Sequence, residues 1–203
     1  MVFSNRLYID ALYYRSKYNN FIGITRVSKP FISPDVNLFA SALRLEYPDQ
    51  HDVYYIYSNS QEKITVQGIT LGIKMRYING AIIDANGTYA VLESKITDPV
   101  VPGFNTPKYK TNVSYSHREF YNMNFNIIWR WQDSFLWQSP FGDGQIDAIN
   151  TIDFQCTYRL PNINSMIKIG STNMFDIGYN NTFGGPQIGS LVYVSFVYDQ
   201  KMY

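Results

Sequence analysis

Cysteine is almost missing from the sequence. The single Cys156 rules out an internal disulfide framework and leaves no thiolate pair for a metal. Its plain reading is a small apolar side chain on a strand face. Charge is scarce too, with Asp, Glu, Lys and Arg at 16% of 203 residues, against about 25% in soluble globular chains. The signs nearly cancel, 17 basic against 16 acidic residues for a net charge of +1, so nothing here is an electrostatic footprint for nucleic acid. No apolar run approaches the roughly 18 residues that a spanning helix needs. If the chain meets a membrane, it does so with strands. The start, Met1-Val-Phe-Ser-Asn-Arg6, has no basic region followed by an apolar core and cleavage site. We therefore expect a removed export signal or a piece of something longer.

What the sequence has instead is aromatic rings and alternation. Tyr, Phe and Trp make up 17% of the chain, with 18 tyrosines among them. In Asn124 to Gln132, Phe125, Ile127, Trp129 and Trp131 fall on one face of a strand and Asn124, Asn126, Arg130 and Gln132 on the other. Ile152 to Arg159 repeats the split, Ile152, Phe154, Cys156 and Tyr158 against Asp153, Gln155, Thr157 and Arg159. A soluble antiparallel sandwich with one wet face fits the same pattern. Periodicity alone leaves that alternative open.

Composition is even along the chain, which predicts one domain over 1–203. Alternation predicts eight strands: 5–23, 52–78, 81–94, 109–117, 124–132, 148–160, 165–173 and 190–200. Pro30, Pro34 and Pro48 mark 24–51 as a long loop with a short helical turn at 36–45. Pro99, Pro102 and Pro107 mark 95–108 as another. Pro140, Gly142 and Gly144 do the same for the segment ending at Gly144, and Gly and Asn do it for 174–189. Between the other strands lie tight turns at Asn79-Gly80, Arg118 to Asn122 and Pro161 to Asn164.

That rhythm of short and long connections is the strongest feature. Transmembrane β-barrels have brief periplasmic turns, longer extracellular loops, strands of about ten residues and apolar-out, polar-in alternation. The expected fold class is therefore all-β, an antiparallel transmembrane β-barrel segment of about eight strands. Register would be strongly fixed, since a one-residue slip would carry Arg130 and Arg159 into lipid at about 2 to 4 kcal/mol each near the midplane. Aromatics at strand ends, including Tyr13, Tyr77, Tyr109, Trp131, Tyr158 and Tyr198, suit interfacial girdles.

Over nearly all 203 residues, and most specifically from Val101 on, the chain resembles the carboxy-terminal part of the barrel of TonB-dependent outer-membrane receptors, in the form common in Bacteroidetes. The resemblance rests on Val101-Pro-Gly-Phe-Asn-Thr-Pro-Lys-Tyr-Lys110, on the stretch from Trp129 to Gly144, and on Thr151-Ile-Asp-Phe-Gln-Cys-Thr-Tyr-Arg-Leu-Pro161. It continues through Lys168-Ile-Gly-Ser-Thr-Asn-Met-Phe175 and Phe183-Gly-Gly-Pro-Gln-Ile-Gly189 to the aromatic last strand. It implies a roughly 22-stranded barrel in the bacterial outer membrane, with a lumenal plug, energised through the TonB system to import a scarce nutrient. It also implies lipid, the rest of the receptor and the barrel assembly machinery as partners. No plug-like domain is recognisable, so we expect a wall segment without chemistry of its own. The alternative expectation is a self-contained small barrel with a structural or adhesive role.

Candidate functional residues follow from the faces and loops. Lys74, Arg76, Lys110, Arg130, Asp153, Arg159 and Lys168 are expected to face the lumen. Phe104, Trp137, Phe141, Tyr179 and Phe183 are large aromatics in extracellular-loop contexts, suited to stacking on a carbohydrate or aromatic ligand or to packing loop on loop. Asp143, Gln145 and Asp147 lack the spacing of a calcium loop. His51 and His117 fall on opposite sides of the expected membrane, which excludes a shared metal site. No catalytic constellation or cofactor motif is present, so an enzyme is not expected. The acceptor-like triplets starting at Asn86 and Asn112 read as polar fillers within strands.

Overall fold

Residues 2–4, 6–30, 51–93, 100–101, 103–139 and 142–198 are described in a computed structural model. The strands are β1 (Val2–Ser4), β2 (Leu7–Tyr18), β3 (Ile22–Pro30), β4 (His51–Asn59), β5 (Ile64–Arg76), β6 (Ala81–Leu92) and β7 (Val100–Val101). They continue as β8 (Tyr109–Phe120), β9 (Met123–Gln132), β10 (Phe135–Ser139), β11 (Gly142–Ile146), β12 (Ile149–Leu160), β13 (Ser165–Thr172) and β14 (Leu191–Tyr198). A 3-10 turn, Pro161–Ile163, is the one helical element among the described residues. Nine strands form one sheet in the order β1-β2-β5-β6-β8-β9-β12-β13-β14. The three-residue β1 aside, these are eight long antiparallel strands.

Pairing register carries the alternation across the whole sheet. One cross-strand row reads Ile9, Ile73, Ala85, Val113, Trp129 and Ile152. The next row reads Lys74, Asp84, Ser114, Ile128 and Asp153, on the opposite face. Within the polar face, Asn112 donates to Asn86 (3.0 Å) and the Thr70 and Thr88 hydroxyls meet at 3.1 Å, so both acceptor-like asparagines are part of a side-chain ladder. The apolar face stays bare: Val192, Val194 and Phe196 are 67%, 70% and 62% exposed. A soluble sandwich would require Trp129 to be buried between sheets, and it is exposed. What covers this face must come from outside the described residues.

Two polar-face glycines have tyrosines laid over them from the paired strand. Tyr14 covers Gly68 and Tyr193 covers Gly170, and a Cβ on either glycine would overlap the ring. Tyr193 is held there by its hydroxyl, which donates to Gln155 Oε1 at 2.8 Å. An aromatic ring thus fills the place of the missing side chain.

Three tight turns lie at one end of the sheet. At the first, Gly80 takes φ +84° and its N–H donates to Tyr77 O. The second is shorter than the expected 118–122: β8 runs on to Phe120, and Tyr121 and Asn122, with φ 48° and 61°, form a two-residue turn of the kind that suits strand twist. At the third, Asn164 takes φ 46° after Pro161–Ile163. All four long connections leave from the other end.

Those connections are more structured than the prolines suggest. The expected loop at 24–51 is strand at both limits: β3 pairs with β4 from Ile22↔Asn59 to Pro30↔His51, and β7 joins β3. Pro30 sits at the last pair, where a missing donor is tolerated. The helical turn expected at 36–45 lies outside the described residues. The expected single strand 52–78 is two strands in different sheets, broken at 60–63, where buried Ser60 donates its N–H to Phe21 O (2.7 Å) and its hydroxyl accepts from Glu62 N–H (3.2 Å). Likewise the expected loop after Asp133 contains the β10–β11 hairpin.

The sheet is open. β14 pairs only with β13, and β2, beyond its brief pairing with β1, pairs only with β5 among the described residues. No described residue of β1 or β2 pairs with β14. A closed eight-stranded barrel is therefore not formed by these strands.

Candidate functional site

The polar face carries an unequal charge. At its regularly paired positions stand six cations, Lys74, Arg76, Lys110, Arg130, Arg159 and Lys168, and three carboxylates, Asp10, Asp84 and Asp153. Two ion pairs form, Lys74–Asp84 at 3.3 Å and Arg130–Asp153 at 2.8 Å. By register these six cations share one face of the sheet with Asp153.

Asp153 is the anchor of the loop end. Its side chain is 11% exposed, against 52% for Arg130. One carboxylate oxygen accepts from Arg130 Nη2 and the other from the backbone N–H of Asn173 (2.9 Å), the first residue after β13. Asn173, with φ 48°, then grips the chain four residues on: its Oδ1 accepts from Ile177 N–H (3.1 Å) and its Nδ2 donates to Ile177 O (2.8 Å). Asp176 Oδ1 accepts from Ser190 N–H (2.7 Å), and the backbones of Tyr179 and Ile188 pair in both directions. Segment 173–190 is consequently a folded unit, tied to the sheet by the buried Asp153 carboxylate and by the Met174 N–H, which donates to Ile152 O (2.8 Å).

This unit encloses a cleft of about 430 Å³ against the polar face. Lys110, Arg130, Thr151 and Asp153 line the strand side; Tyr179, Asn181 and Ile188 line the loop side. A second cleft, of about 400 Å³, lies between the end of β11 and the same loop, lined by Gln145, Asp147, Asn180, Thr182, Phe183 and Gln187 among others. Ile149 and Tyr179 border both. The two clefts differ in chemistry: Lys110 and Arg130 line the first, whereas among the described residues no cation lines the second, which combines the carboxamides of Gln145, Asn180 and Gln187 and the Asp147 carboxylate with apolar residues such as Ile146 and Phe183. Among the described residues, no three His, Cys, Asp or Glu side chains come together as a metal cluster.

No protein-family model matches the sequence, and no curated protein matches it. Solved structures do match. The copper transporter OprC superposes with a TM-score of 0.68 at 14% identity, over 96% of this chain and 29% of that one. The ferric enterobactin receptor PfeA of Pseudomonas aeruginosa gives 0.63 at 17% identity, over 95% and 29%. The siderophore receptor PirA of Acinetobacter baumannii gives 0.62 at 13%, again over 95% and 29%. The chain resembles the barrel part of TonB-dependent receptors. It spans about 29% of the length of these structures, and at such identities the likeness is one of fold.

The structure brings together only some of the aromatics marked in the sequence. Tyr179 borders both clefts, and Phe183 lines the second, where its ring lies over Gly144 so closely that a Cβ there would overlap it. Trp137 instead sits on β10, opposite Gly144, with its ring 6.4 Å from Phe135. Phe104 is half-buried beside Asn105, whose carboxamide donates to Gln138 O (2.8 Å) and accepts from Gln138 N–H (2.7 Å), latching that segment to β10. Neither lines a cleft described above. Phe141 lies outside the described residues.

Asn105 and Asn173 were not marked in the sequence. An Asn at a strand end, like Asn173, or close to Gly and Pro, like Asn105, is a recognisable cue for a turn, but only the fold tells which backbone each one grips. Asp153 was marked for its face, and its role as the loop's anchor came from its depth.

Proposed function

We propose that the chain is the carboxy-terminal wall of a TonB-dependent outer-membrane receptor that imports a scarce nutrient. The observation that carries this reading is the open amphipathic sheet, with a bare apolar face and an unpaired edge on each side. A strand edge persists in hydrocarbon only when another strand covers it, so such a sheet is an arc of a wider wall. The apolar face meets lipid and the polar face lines the lumen, against a plug supplied elsewhere. The three tight turns are periplasmic, and segments 19–63, 93–108, 133–148 and 173–190 are extracellular. The barrel assembly machinery inserts the complete receptor, and the TonB system energises it. The alternative, a self-contained small barrel of structural or adhesive role, needs β14 to pair with β1 or β2.

Epitope insertion tests this in the complete protein. A tag between Gly184 and Gly185 is expected to be reached by antibody on intact cells. A tag at Asn79-Gly80 is expected to be reached only after permeabilisation. Reversed accessibility, or a monomer that stays soluble without detergent, defeats the reading.

A further inference from the structure

We infer that the cleft beneath segment 173–190 is a binding site for a small anionic ligand bearing carboxylate or phosphate groups, held by Lys110 and Arg130. This rests on the receptor reading and names the class of cargo that the site takes.

Lys110 pairs with Gln132, and Asn112 with Arg130, so the two cations are diagonal cross-strand neighbours on one face. At that relation Cα atoms are about 7–8 Å apart and long side chains still meet. The only carboxylate that lines this cleft is Asp153, which is already engaged by Arg130 and by the Asn173 N–H. Among the described residues no carboxylate pairs with Lys110. Two neighbouring cations of which only Arg130 has a carboxylate partner repel each other, and a bound anion relieves the repulsion.

The rest of the lining completes the match. Gln132 and Asn181 offer carboxamide donors, and charge-assisted hydrogen bonds to carboxylate or phosphate oxygens are about twice as strong as neutral ones. The cleft's volume of about 430 Å³ lies within the roughly 300–1,000 Å³ of small-molecule sites. Size and enclosure favour a small molecule over a protein surface. The loop closes one side with Tyr179 and Ile188, a protein domain would need an open face, and the Asp153–Asn173 bond holds that loop in place.

The test uses the complete outer-membrane protein containing this chain, with citrate as the probe and glucose as the neutral control. Mass spectrometry follows acylation of the Lys110 amine. Citrate is expected to slow that reaction and glucose to leave it unchanged, with the protection fading at high salt. In Lys110→Gln, citrate affinity measured by titration calorimetry is expected to fall about tenfold or more, the loss of one charge-assisted hydrogen bond. Absence of protection, or equal protection by glucose, overturns the inference. So does a Lys110 that is unreactive before citrate is added, because a protein carboxylate then already occupies the cleft. Because protection is read on the unaltered protein, the outcome stands even if Lys110→Gln fails to assemble. Absence of the unaltered protein from the outer membrane would instead sink the receptor reading.

Discussion

At the scale of single residues, Ile127 and Ile128 are chemically identical neighbours with opposite surroundings. Ile127 pairs with Tyr115 and Phe154 on the apolar face; Ile128 pairs with Ser114 and Asp153 on the polar one. Both stand near the middle of β9. Ile127→Arg is expected to place a charge in hydrocarbon at about 2 to 4 kcal/mol and prevent assembly, whereas Ile128→Arg sits in a hydrated lumen beside Asp153 and is tolerated. Yield of SDS-resistant protein in the outer-membrane fraction reads the difference. Equal yields would mean that the faces are wrongly assigned. His117 makes a second case. It is buried on the apolar face, stacked on Phe125 (centroids 5.7 Å apart) and edge-on to Phe120, and its Nδ1 has no hydrogen-bond partner. An unsatisfied buried polar atom costs about 1–3 kcal/mol. His117→Phe should therefore raise the temperature at which the protein loses SDS resistance, and a lowered temperature would point to a partner for the imidazole.

At the scale of elements, the faces and the tight turns were legible because they are local. Alternation is a property of consecutive residues, and Asn79-Gly80 needs no distant partner to turn. The long connections were not legible, for the opposite reason. Pro30 looks like a strand breaker until β4 is known to begin beside it, and 52–78 reads as one strand because no proline interrupts it, while the chain changes sheets at Ser60. The site was half legible: the sequence places Arg130 and Asp153 on the wet face, but that Asp153 meets the N–H of Asn173, twenty residues on, depends on the depth of the carboxylate. The consequence can be tested at segment 173–190. Asp153→Ala removes acceptors from both Arg130 and Asn173, at about 1–3 kcal/mol for a buried group left unsatisfied, while Asp153→Asn keeps an oxygen for Asn173. Proteolysis within 174–189 should be fastest in the alanine variant, intermediate in the asparagine variant and slowest in the unaltered protein. Identical rates would mean that the loop is held without the carboxylate, by its internal hydrogen bonds and by the Met174 N–H to Ile152 O.

At the scale of the whole molecule, the question is what the two open edges become. Two strands that face each other across a closed seam bring their side chains within about 4.5–5.5 Å, close enough for a disulfide, whereas edges of an arc in a wider barrel are separated by every strand that completes the wall. Ile9 on β2 and Val194 on β14 both belong to the apolar face, so cysteines there would point the same way and meet only if the sheet closed on itself. In a Cys156→Ser background, the Ile9→Cys/Val194→Cys protein is expected to form no internal disulfide under mild oxidation. By contrast, a cysteine pair introduced at Ile73 and Ala85, already cross-strand partners in β5 and β6, should form one readily and serves as the positive control. An efficient disulfide in the Ile9→Cys/Val194→Cys protein would mean a closed small barrel, in which case the fold shared with import receptors would be ancestry and the anion-binding cleft would open into a sealed lumen. Failure of that bond alongside success of the control places the missing strands in the rest of a larger protein, and gives both edges of the arc their partners there.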